Sequence, residues 1–292
     1  MFMSPGTQFN FDVQFLFAHE AFHTWNPAQL GELVPKDPVY WFTEGFTDYY
    51  ARLLLLRASF IGSEQYAEDI NRIYSEYMSS PARNYDEQRV QTHYLSDPAT
   101  QRLPYLQGDL LALKWNAVIG ERSHGTQSLD DAMRLLMQKA KESEQTLSDQ
   151  DLAAVFANFV GPEVFADVRD YVHAGKTFPL PAQALGPCFK VEKQLLYTFK
   201  AGFDVDAMYQ GGVIRGVEPE SEAFRAGLRD GQSVLQTSGI NPNDANQAIE
   251  INVLDSGQPK RIRYFPRGSA AQVDQYRFTS ETGPHCELVA LH

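Results

Sequence analysis

The chain has 292 residues, a net charge of −12 and two cysteines. That acidic balance argues against a nucleic-acid partner and against an anionic membrane surface. No apolar run approaches the roughly 18 residues of a membrane span, so the chain reads as soluble. The length accommodates two domains with separate cores. The N-terminus, MFMSPGTQFNFDVQF, lacks a basic stretch followed by a long apolar core and is not a secretory signal. The compartment stays open: cytoplasmic, or exported if the natural N-terminus lies upstream. Cys188 and Cys286 lie far apart, lack metal-ligand spacing and read as unpaired thiols.

The first predicted helix carries His19-Glu20-Ala21-Phe22-His23, an H-E-x-x-H pattern. Histidines four apart share one helix face, so two imidazoles can hold one zinc while the adjacent Glu20 activates the metal-bound water. An amphipathic core helix with satisfied histidines is the alternative. A catalytic zinc needs a third protein ligand. The chain after His23 does not supply the His of the metzincin form, and the inverted His-x-x-Glu-His form is absent. There remains a Glu on a second helix. Glu44 lies 21 residues after His23, in a segment with helical apolar spacing at Phe42, Phe46, Tyr49, Tyr50, Leu53 and Leu54. Pro35 and Pro38 break the chain between the two segments. Asp48, one turn beyond Glu44, is either a solvated helix residue or an acceptor for the free N–H of a zinc-bound histidine.

The segments HEAFHTWN at 19–26 and WFTEGFTDYY at 41–50 resemble the gluzincin peptidases, and most closely the M61, or glycyl aminopeptidase, family. The resemblance implies an α+β multidomain protein, a mainly helical catalytic domain followed by a small PDZ-like β domain. The site set it implies is His19, His23 and Glu44 on zinc, Glu20 as general base and Asp48 behind the ligands.

Further along, a helix is expected over 63–77, with Tyr66, Ile70, Ile73 and Tyr77 as its buried stripe. Residues 79–103 read as loop with at most a short helix. Pro104 then suits a first helical position, followed by apolar residues at helical spacing. Tyr105 begins a Tyr-x-x-Gly segment like one in M61 members. By resemblance its hydroxyl donates to the oxyanion of the tetrahedral intermediate; otherwise it is a packed helix-start tyrosine. Ser128 and Ser148 open two more helices, Gly161-Pro162 stops the second, and a short helix is expected over 164–172. The Pro-rich stretch 178–187 reads as a linker.

Beyond it the period alternates. Strands are expected at 213–217 and after 230, a turn and short helix at 218–228, and a hairpin of Ile249, Ile251 and Val253 with Ile262 and Tyr264 around Asp255-Ser256-Gly257. This part, with Ala226-Gly227-Leu228, resembles a PDZ domain. Its expected carboxylate-binding loop is Ala201, Gly202 and Phe203, placed ahead of a groove strand to which a peptide C-terminus would add. The expected layout is catalytic domain 1–186, PDZ-like domain 187–268 and tail 269–292.

The function read from these features is that of a zinc peptidase, of aminopeptidase type, acting on peptides with N-terminal Gly or Ala. The alternative is a non-catalytic, PDZ-bearing peptide-binding protein or an inactive fragment. The resemblance would put an ammonium-binding carboxylate and a β domain upstream of the zinc helix. Residues 1–18 hold a single acid, Asp12, without adjacent glycines. Glu32 is either a substitute or an exposed loop residue. The chain is therefore expected to be a fragment or shortened member with weak aminopeptidase activity.

Overall fold

Asn10 stops its own backbone from entering the first helix and accepts a hydrogen bond from the Val13 amide, so helix α1 starts at once and runs Phe11–Phe22. In the computed structural model, which describes residues 10–34, 39–143, 146–241 and 244–279, the chain divides into two compact units. One comprises Met1–Glu192 with Asp274–His292, the other Lys193–Val273.

The first unit is helical. After α1, a short strand β1, Glu32–Val34, pairs in parallel with β2, Thr146–Ser148, where no strands were expected. A π-helical turn, Trp41–Gly45, runs directly into α2, Phe46–Arg57. Helices α3, Ser63–Ser79, and α4, Glu87–His93, follow. Helix α5, Pro98–Arg122, begins earlier than expected because Asp97 caps the Ala99 amide and Pro98 takes the first turn. Pro104 therefore lies inside the helix, where it forgoes one backbone hydrogen bond. Helices α6, Leu129–Glu142, and α7, Asp149–Ala157, open with reciprocal capping boxes, Ser128 with Asp131 and Ser148 with Asp151. Helix α8, Glu163–Asp167, continues as a π-helical stretch, Val168–His173.

Trp41, Phe42, Phe46, Trp115 and Phe156 pack edge-to-face or tilted, with ring centroids 5.0–6.2 Å apart, and weld the π-helical turn to α5 and α7. Arg52 of α2 is fully buried within this unit. Its guanidinium is bidentate to Asp109 of α5, at 2.9 and 2.7 Å, and donates to Asp69 of α3 at 2.6 Å. A buried cation survives only when its donors are met this fully.

Strand β3, Phe189–Phe199, leads to the second unit. There α9, Val205–Gly211, and α10, Glu222–Arg225, precede a sheet of order β4-β5-β6: Ser233–Ser238, Ile249–Asp255 and Gln258–Tyr264. The expected hairpin is present, and Ser256 and Gly257 both have positive φ, 51° and 82°, as a tight two-residue turn requires. Ile249, Ile251, Val253 and Ile262 supply its core face. The strand expected at 213–217 is absent; Val213 makes one isolated bridge to Ser233, and the expected turn and helix follow.

The expected tail from 269 also needs correction. Residues Arg267–Phe278 form strand β7, paired with β3. Asn71 of α3 holds residue 276 through two bonds, Nδ2 to the carbonyl at 2.9 Å and the Tyr276 amide to Oδ1 at 2.7 Å. Cys188 is disulfide-bonded, not a free thiol, and the chain's other cysteine, Cys286, lies outside the described residues.

Candidate active site

His19 sits in the last turn of α1, and His23 is its C-cap. The two rings meet edge-on with centroids 4.6 Å apart. Glu44 arrives from the π-helical turn, not from a regular α-helix. Its Oε2 lies 3.4 Å from the Nε2 of His19 and 3.4 Å from the Nε2 of His23. These three donors form the one group suited to a metal ion among the described residues. Two ligands about 2.0–2.1 Å from a tetrahedral zinc are about 3.4 Å apart, so both measured edges fit that ion.

Each imidazole is oriented from behind. His19 Nδ1 is 2.8 Å from Asp48 Oδ1, and His23 Nδ1 is 2.8 Å from the backbone carbonyl of Asn26. With Nδ1–H donating to these acceptors, both Nε2 lone pairs face Glu44. The sequence left open which histidine Asp48 serves; the structure places it on His19. Asn26 was not singled out from the sequence. Its buried amide donates to the Phe42 carbonyl at 3.0 Å, tying the end of α1 to the turn that bears Glu44. A polar residue three positions after the second histidine was the hint the sequence held.

Arg102 of α5 was also missed. It donates to Asp48 Oδ2 at 3.0 Å and to Glu76 Oε1 at 3.0 Å, and its guanidinium lies 5.6 Å from the centre of the Tyr105 ring. Tyr105 stacks on His19 with centroids 6.5 Å apart, close enough to Glu44 for that carboxylate to act on its phenol. Burial, then the charge of Glu44, hold its phenol well above the usual range, so it remains a donor. Burial alone would lower the pKa of His19. The hydrogen bonds to Asp48 and Glu44 outweigh it and raise the value to about 9. Burial would raise Glu44, but the His19 hydrogen bond and the His23 charge lower it. The raised histidine and the lowered carboxylate both reflect the close approach of His19 and Glu44.

Glycines make this convergence possible. A Cβ on Gly108 would lie 1.6 Å from the Trp41 carbonyl oxygen, and one on Gly45 would lie 2.5 Å from Gly108 Cα. The backbones of α5 and the π-helical turn touch there. Tyr105, one turn before Gly108, is brought to Glu44, one residue before Gly45.

Glu20 is exposed beside His19. The side chain of Glu32 lies outside the described residues. In the second unit, Ala201 and Phe203 are buried in the core, and the Ala201 carbonyl accepts from the Tyr264 hydroxyl at 2.6 Å. Helix α9 follows this loop where a groove strand was expected.

Residues 13–101 match the family profile of the M61 glycyl aminopeptidases, which bears out the resemblance read from the two motifs. The match covers the histidines, Glu44, Asp48 and Glu20 and ends before Tyr105. A crystal structure of an aminopeptidase N family protein from Idiomarina loihiensis has the same fold, with a TM-score of 0.57 at 16% identity over 95% of this chain and 55% of that one. The chain thus spans about half the length of that protein. Among curated proteins none matches.

Proposed function

We propose that this chain is a zinc-dependent peptidase of the M61 kind in which His19, His23 and Glu44 hold the metal. The observation that carries this reading is the pair of 3.4 Å edges from one Glu44 oxygen to two Nε2 atoms, each imidazole fixed through its Nδ1. A zinc ion there would supply Lewis acidity, making water nucleophilic near neutral pH and polarising the scissile carbonyl. Asp48, held by Arg102, and the Asn26 carbonyl keep the two rings turned to the centre. Glu20 takes a proton from the attacking water and passes it to the leaving amine. Tyr105 donates its hydroxyl to the carbonyl oxygen as that oxygen becomes negative.

The substrate of this reading is a peptide with an N-terminal glycine or alanine, a choice supported for glycine by the glycyl aminopeptidase profile that residues 13–101 match. The second unit reads as a PDZ-like module, supported by its three-stranded sheet and the Ser221-capped turn at 222–225. Its loop at Ala201, Gly202 and Phe203 is the proposed contact for a peptide C-terminus.

The test is metal content together with one substitution. Purified protein should hold one zinc per chain, and Glu20→Gln should keep that zinc and its melting temperature. The same variant should lose about 10²–10⁴-fold in hydrolysis of alanyl peptides, because an amide cannot accept the proton. Chain without stoichiometric zinc, and without zinc-stimulated hydrolysis, would leave a binding protein as the better description. Peptides with free and blocked N-termini, compared on the same preparation, decide between aminopeptidase and endopeptidase.

A further inference from the structure

The acidity of this chain is not evenly spread. Lys193–Val273 holds nine Lys and Arg against nine Asp and Glu, so the whole net charge of −12 resides elsewhere. Within this neutral unit the basic side chains are not dispersed. A cleft of about 530 Å³ lies between α10, the end of β6 and the start of β7, and three arginines line it: Arg225, Arg263 and Arg267. Glu222 is the single acid in its lining. The volume is that of a small-ligand or short-peptide site, which typically measures about 300–1,000 Å³.

Arg267 is built in, not merely present. Its guanidinium lies 4.6 Å from the centre of the Tyr197 ring and 4.7 Å from that of Phe265. Contact with two aromatic faces holds the planar group in place and leaves its N–H donors to point outward in the plane of the group, toward acceptors. Its guanidinium donates to a neutral group, Asn246 Oδ1, at 2.8 Å. Arg263 lies 5.6 Å from the same Phe265 ring, and it shares one carboxylate, Glu250, with Arg261. Arg225 is paired with Glu222 at 2.6 Å on the opposite wall. The cleft thus offers more guanidinium than its own acids neutralise, with exposed aromatic surface beside it. A carboxylate meets a guanidinium bidentately, and an apolar neighbour residue covers Phe265.

We propose that this cleft binds a carboxylate-bearing peptide segment, with Arg267 as its anchor. The site is distinct from the Ala201–Phe203 loop, and it needs neither zinc nor hydrolysis, so it stands or falls apart from the peptidase reading.

The experiment uses the full chain with a chelator present and fluorescence anisotropy of labelled pentapeptides. Four probes are compared: two glutamates or two glutamines in the middle, each with a free or an amidated C-terminus. Binding of the amidated glutamate probe identifies a side-chain carboxylate as the ligand; binding of the free-acid glutamine probe identifies the C-terminus. Either supports the proposal if Arg267→Gln weakens that probe about ten-fold or more, the loss expected for a charged hydrogen bond, while Arg215→Gln, the same charge change outside the cleft lining, does not. Raising the salt from 0.05 to 0.5 M should weaken it as well, within the same order of magnitude. Equal binding of the amidated glutamine probe, or an unchanged affinity in an Arg267→Gln protein that melts normally, would overturn it. So would the absence of binding by all four probes at millimolar concentration.

Discussion

Gly108 offers the sharpest test of how the fold makes the site. In Gly108→Ala the new Cβ would sit 1.6 Å from the Trp41 carbonyl oxygen and 2.6 Å from its carbon. Heavy atoms keep more than about 3 Å apart, so α5 and the π-helical turn must separate by about 1.5 Å. Overpacking of this kind costs about 1–3 kcal/mol, partly offset by the roughly 1 kcal/mol that alanine gains over glycine in a helix. The separation also carries Tyr105 away from Glu44, and a misplacement of about 1 Å at a reacting group costs about 10²-fold in rate. The variant should therefore melt a few degrees lower, on the order of 5 °C, keep its zinc, and lose turnover far more than substrate affinity. Gly211→Ala is the control: nothing lies within 4 Å of its Cβ, and stability and turnover should both be retained. Thermal melts, zinc content and steady-state kinetics on an alanyl amide suffice. A Gly108→Ala protein with unchanged melting and full turnover would refute the claim that this crossing positions Tyr105.

Asp109→Ala leaves the buried Arg52 with Asp69 alone and should destabilise the chain by about 3–5 kcal/mol in denaturant titration; a loss under about 1 kcal/mol would show that water or a rearranged partner replaces it. Metal-stripped protein should show a pH effect through His19, which faces Asp48 and Glu44. Its folded pKa, about 9, exceeds the ordinary value of 6.5, so its stabilisation is full below pH 6.5 and is lost as pH rises through 9. The melting temperature of that form should fall over this window, and saturating zinc should remove the fall, because the metal replaces the proton. A flat profile in the stripped protein would contradict the buried arrangement of His19.

What the sequence determined by itself was local. Two histidines four residues apart share a helix face whatever surrounds them, and Ser128 and Ser148 cap their helices through atoms three residues away. Ile249 to Tyr264 reads as a hairpin because alternation and a Ser-Gly turn are written within sixteen residues. Even the M61 resemblance rests on two short motifs.

The tertiary structure decided what those residues meet. It put Glu44 in a π-helical turn, gave Asp48 to His19, and set Arg102 behind it from a segment read as loop. It supplied the Asn26 carbonyl, the buried Arg52 with acids 17 and 57 residues away, and the bare backbone contact at Gly108. It replaced the strand expected near Val213 by a single bridge and ran α5 through Pro104. The physical reason is the same in each case. Capping and periodicity act within a few bonds along the chain, whereas burial, close backbone approach and the pairing of buried charges depend on which surfaces pack, and spacing in sequence does not encode that.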